Sequence, residues 1–63
     1  MILVKEMPTR GQFVAVWEYD GKLYGDAYKW EEDYLVEYNE DQDLWLSICS
    51  DSHLKAARFL VKG

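Results

Sequence analysis

Cys49 and His53 are the two side chains in this 63-residue chain whose types and spacing suggest nucleophilic chemistry, since they stand four residues apart. A thiol activated by an imidazole also needs a third group to orient the base and donors for an oxyanion, and no such set is evident. Cys49 ends a β-like run, where it reads as a small buried hydrophobe, and His53 falls in or beside the first turn of an expected helix, a surface or capping position. With one cysteine and one histidine, neither an intrachain disulfide nor a zinc cluster can be built. Asn39, Glu40, Asp41 and Asp43 offer oxygen ligands, yet their spacing does not fit a twelve-residue calcium loop with a central glycine and a terminal glutamate. Phosphate loops and dinucleotide fingerprints are absent. The chain reads as a non-enzyme without metal or cofactor.

Charge and aromatic rings remain as carriers of function. The net charge is −5, and residues 31–44 hold Glu31, Glu32, Asp33, Glu37, Glu40, Asp41 and Asp43 without one Lys or Arg. Such a field repels phosphate and attracts basic surfaces. Its plainer role is a hydrated edge that keeps a sheet protein soluble; its sharper role is to steer a basic partner or to mimic nucleic acid phosphates.

The rings lie mostly in a hairpin. Two runs rich in Val, Tyr and Trp between Phe13 and Trp30 flank Asp20 and Gly21, a dipeptide suited to the two positive φ angles of a type I′ turn. That turn sets Tyr19 opposite Lys22, Trp17 opposite Tyr24, Val14 opposite Ala27 and Phe13 opposite Tyr28. One face then carries Phe13, Trp17, Tyr19, Tyr24 and Tyr28, which Trp45 can join, and the other carries Val14, Val16, Leu23, Gly25 and Ala27. Platforms for single-stranded nucleic acid interleave rings with Lys and Arg. Here the interleaved charges are Glu18, Asp20 and Asp26 beside Lys22 and Lys29, so direct nucleic acid binding is not expected.

Met1 to Met7 reads as a first strand ended by the loop Pro8–Gly11. Residues 31–38 mix helical spacing with strong β composition and are assigned to a strand, followed by an acidic loop and the alternating run Leu44–Ile48. Ser50, Asp51 and Ser52 offer N-cap side chains before a helix over His53–Lys62, with Leu54, Ala57, Leu60 and Val61 as its apolar stripe and Gly63 at its end. Too short to stand alone, this helix must dock on the sheet.

The expected fold is α+β: a single domain over 1–63, an antiparallel meander of four to five strands with one C-terminal helix on the smooth face. The expected core is Val14, Val16, Leu23, Ala27, Val36, Leu44, Leu46, Ile48, Leu54, Ala57, Leu60 and Val61. The aromatic face is then left open, and interfaces favour Trp and Tyr. Contact is accordingly assigned to Trp17, Tyr19, Tyr24, Tyr28 and Trp45, and charge complementarity to Glu31, Glu32, Asp33, Glu40, Asp41 and Asp43.

In size, charge and aromatic content, though in no specific motif, the chain resembles the small acidic accessory proteins that phages encode to bind and inhibit host enzymes or defence systems. That resemblance implies an inhibitor or modulator of a protein with a basic surface. A homodimer through the aromatic face and nucleic acid mimicry are the alternatives. No stretch approaches a membrane span or a signal sequence, and with its unpaired cysteine the chain is expected in the cytoplasm, that of the host if it is viral.

Overall fold

The chain forms six strands, β1 (Ile2–Val4), β2 (Gln12–Tyr19), β3 (Lys22–Glu31), β4 (Tyr34–Asn39), β5 (Leu44–Ser47) and β6 (Arg58–Val61), in a computed structural model that describes residues 1–62. They make one antiparallel sheet in the order β1-β6-β2-β3-β4-β5. The hairpin has the register read from the sequence, from Tyr19 opposite Lys22 to Gln12 opposite Lys29. Its turn takes positive φ at both positions, 53° at Asp20 and 75° at Gly21, the signs that a type I′ turn requires. Residues 34–39 are a strand, as their composition indicated.

The C-terminal helix is not formed, so the α+β expectation is corrected to a sheet protein whose one helical piece, among the described residues, is a 3-10 turn at Ser52–Ala56. Leu54 and Ala57 are both buried, which a three-residue repeat achieves as well as a helical stripe does. The turn closes with the Ala57 N–H donating to the Leu54 carbonyl at 3.1 Å, after which Ala57 is extended. Arg58–Val61 then inserts between β1 and β2, pairing Leu60 with both Leu3 and Val14. Two ladders satisfy more backbone than one short helix could, and Phe59 and Leu60 suit a pleated strand. The expected side-chain caps also fail: Asp51 makes no capping bond, and the Ser50 hydroxyl accepts from the Ser52 N–H instead. Gly63, expected at the helix end, lies outside the described residues.

Losing the helix reverses the two faces of the sheet. The aromatic side is the core: Phe13, Ala15, Tyr28, Leu35 and Phe59 are buried, with Leu54 of the 3-10 turn and Ala57 just after it packed against them. Phe13 stacks on Tyr28 at 5.8 Å between centroids and meets Phe59 edge-on at 5.7 Å. Of the expected core only Val36, Leu54 and Ala57 are buried, while Ile48 and Val61 pack at its margin. Val14, Val16, Ala27 and Leu60 are half-buried on the opposite side, where Leu23 is 72% exposed. Leu44 and Leu46 are exposed on the edge strand β5.

The first strand is also shorter than expected, ending at Val4 rather than Met7. The following segment folds across one end of the sheet, where the Trp30 indole donates to the Pro8 carbonyl at 2.9 Å and the Trp30 backbone N–H to Gly11 at 3.0 Å. Among the described residues, no helix is long and apolar enough to cross a membrane.

Two truncations separate the faces. Phe59→Ala is expected to destabilise by about 3–5 kcal/mol and Leu23→Ala by no more than about 0.5 kcal/mol, measured by urea denaturation. Equal losses would return the smooth face to the core.

Candidate functional site

Chemistry gathers where the 3-10 turn crosses β2, β3 and β4. Alternation points Trp17, Tyr28 and Glu37 to one side, and the turn lays His53 over them. The Tyr28 hydroxyl lies 2.6 Å from Glu37 Oε2 and 3.0 Å from His53 Nε2. One hydroxyl proton cannot serve both, and the shorter contact to a carboxylate is the stronger hydrogen bond. Tyr28 therefore donates to Glu37, and its oxygen is left to accept from the His53 Nε2–H tautomer. The His53 ring also stacks on Trp17 at 5.9 Å and 20°, while the Trp17 indole N–H donates to the His53 carbonyl at 3.0 Å. Burial first, and then the Glu37 carboxylate, push the Tyr28 phenol well above its ordinary pKa near 10.

These contacts make the node a clamp between the turn and the sheet. The tyrosine proton is held more tightly than in water, and the His53 partners are Trp17 and Tyr28. Cys49 is exposed and lines a separate shallow hollow of about 250 Å3 with Trp30, Asp33, Tyr34 and Leu35. Among the described residues, no three His, Cys, Asp or Glu side chains converge to hold a metal ion.

Beside the clamp the sheet opens. The β3–β4 ladder ends at Tyr28 opposite Glu37, although β4 continues beside β5 to Asn39 and β3 continues beside β2 back to Lys22. The diverging strands leave a notch of about 350 Å3 lined by Gly25, Asp26, Ala27, Glu37, Tyr38, Asn39, Glu40 and Asp41. Four carboxylates line it, with no Lys or Arg among the lining residues. Their crowding is felt at Asp26, whose pKa is raised by burial first and then by Glu37, with a smaller push from Glu40 and an opposing pull from His53.

The sequence-assigned residues divide accordingly. Trp17 and Tyr28 belong to the clamp and the core, whereas Tyr19 and Tyr24 are 74% and 51% exposed near the tip of the hairpin. Trp45 lies half-buried on the other face, 5.2 Å from the Tyr38 ring, with Lys29 Nζ 4.5 Å above it. The acidic run is split between the two ends of β4, roughly 17 Å apart for a six-residue strand. At one end Glu31 pairs with Lys29 at 3.2 Å, and Glu32 and Asp33 form the β3–β4 turn. At the other, Glu40 and Asp41 reach the notch, while Asp43 accepts from the Tyr38 hydroxyl. Asp26 and Glu37 were not assigned to contact from sequence. A signal existed for Asp26, which by hairpin alternation shares the face of Tyr24 and Tyr28.

In comparisons with family models, curated proteins and solved structures, nothing matched the chain.

Removing the clamp hydroxyl in Tyr28→Phe is expected to cost about 1–3 kcal/mol at pH 7, because Glu37 loses its donor. The raised phenol pKa adds a sign: the hydroxyl's contribution is complete below about pH 10 and is lost as pH rises through the folded value. The gap between wild type and Tyr28→Phe in urea titrations should therefore narrow in alkali, and a gap constant to pH 11 would contradict the clamp.

For Asp26 the raised pKa means that ionisation opposes folding once the pH exceeds the unfolded value near 3.8. Asp26→Asn is expected to raise stability at pH 7 by a few tenths of a kcal/mol, a gain that disappears below about pH 4. Unchanged or lower stability at pH 7 would show that the notch carboxylates are not in conflict.

Proposed function

We propose that this protein is a small non-enzymatic protein-binding module that captures a partner with a basic surface, acting as an inhibitor or modulator. The observation that carries the reading is the convergence of Asp26, Glu37, Glu40 and Asp41 around an open notch, with no basic residue among its lining. Like charges held together at a cost to one of their own number are not required by the fold, and they supply the field that speeds encounter with a cationic surface. Tyr24, next to Gly25 of the notch, and Tyr19 near the hairpin tip are exposed amphipathic side chains of the kind interfaces favour. Trp17, Tyr28 and Trp45 are withdrawn from the contact set, because the first two are committed to the clamp and the third faces the opposite side.

A second reading, self-association, rests on the face that lost its expected helix. Leu3, Leu60, Val14 and Ala27 follow one another across four strands, with Leu23 largely exposed beside them. Sedimentation at micromolar concentration distinguishes the two, since a salt-resistant dimer abolished by Leu23→Asp favours self-association and a monomer favours an outside partner.

For the leading reading, affinity capture followed by mass spectrometry is expected to recover a basic partner that Glu40→Lys/Asp41→Lys loses and Glu32→Lys/Asp33→Lys keeps. Capture should also weaken several-fold between low salt and about 0.5 M salt, where charges are screened within a few ångströms. Capture indifferent to both salt and the Glu40 and Asp41 reversals would remove the reading.

A further inference from the structure

We infer that the notch takes an extended segment of the partner as an added strand on the edge of β3, with Lys or Arg at alternate positions. The inference rests on the basic-partner reading above and names its mode of binding. In a two-residue hairpin the Tyr19 and Lys22 backbones bond each other, so the alternation of antiparallel pairs leaves the N–H and C=O of Leu23 and Gly25 pointing away from β2. On that side β4 has already separated from β3, its ladder ending at Tyr28 opposite Glu37. Among the described residues, no backbone bond outside the ladders reaches Leu23 or Gly25. The result is a length of strand edge inside the sheet's own outline, and an unpaired edge is a template for another chain.

The walls state what that chain should carry. Side chains of an added strand alternate between faces. Those on the clamp side would come beside Tyr24, Asp26 and Glu37, where a cation meets carboxylates and an aromatic ring. Those on the other side would come beside Leu23, Gly25, Ala27 and Tyr38, which suit small or β-branched residues. Glu40 and Asp41 add charge at the mouth. A second copy of this chain is a poor occupant: its edge strand β5 (Leu44–Ser47) has no Lys or Arg, β1 (Ile2–Val4) has none either, and the copies repel at net charge −5.

The test uses the intact protein and three synthetic peptides: alternating Arg-Val-Arg-Val-Arg-Val, the blocked isomer Arg-Arg-Arg-Val-Val-Val, and the alternating peptide N-methylated at every second residue, in both phases. All keep the same charge. The alternating peptide is expected to bind by calorimetry and to slow amide hydrogen exchange at Leu23 and Gly25. The blocked isomer should bind about tenfold more weakly because its arginines are split between the two faces, and at least one N-methylated phase should do so because ladder bonds are lost, while charge is kept in both. Equal affinity for all peptides, without protection at Leu23 and Gly25, overturns strand addition and leaves electrostatic capture standing. Absence of binding by every peptide at low salt overturns both.

Discussion

The rest of the structure depends on the seating of one 3-10 turn on the aromatic side of the sheet. That turn brings Leu54 and Ala57 over Phe13, Tyr28 and Phe59, and His53 locks it there through the Tyr28 hydroxyl, the Trp17 ring and its own carbonyl. A 63-residue chain folded as one sheet has one face's worth of apolar contact to build a core with, so whichever face the turn covers becomes the inside. The rings that look exposed when the hairpin is considered alone are for that reason the ones sealed.

Seating the turn also sets the course of the last strand. Because Ala57 is extended as it leaves the turn, Arg58–Val61 is delivered between β1 and β2, where both of its edges find partners. This single insertion joins the N-terminal strand to the hairpin and places Phe59 in the core. Among the described residues nothing comparable closes the other side, where β4 diverges from β3 after Glu37. The notch is thus the place where the sheet's pairing runs out, and the carboxylates around it come from two consecutive strands and the loop that follows them.

Aromatic content and acidity, the two features that suggest a binding protein, have separate fates in the fold. Most of the rings are structural: they stack on one another, carry the clamp or hold a loop through an indole N–H. The acids divide, one group being absorbed at a turn and by Lys29, the other gathering with Asp26 and Glu37 at the opening. The surface we propose for a partner would thus be small and polar, relying on charge and unpaired backbone more than on apolar area.

The sequence by itself determined the local geometry. Asp20 and Gly21 set the hairpin turn and with it every pairing from Phe13–Tyr28 to Tyr19–Lys22, and the β-rich composition of 34–39 overrode its helical spacing. These are contacts between near neighbours, where turn chemistry and alternation suffice. Which face of the hairpin is inside was decided only by tertiary structure, because alternation sorts side chains into two sets without saying which set meets the rest of the chain. The same holds for Arg58–Val61, whose spacing with Leu54 and Ala57 fits a helix and whose partners, Ile2–Val4 and Val14–Val16, are more than forty residues away. A free edge on β2 and β1 rewards a strand with two ladders, and that reward is invisible until the sheet exists.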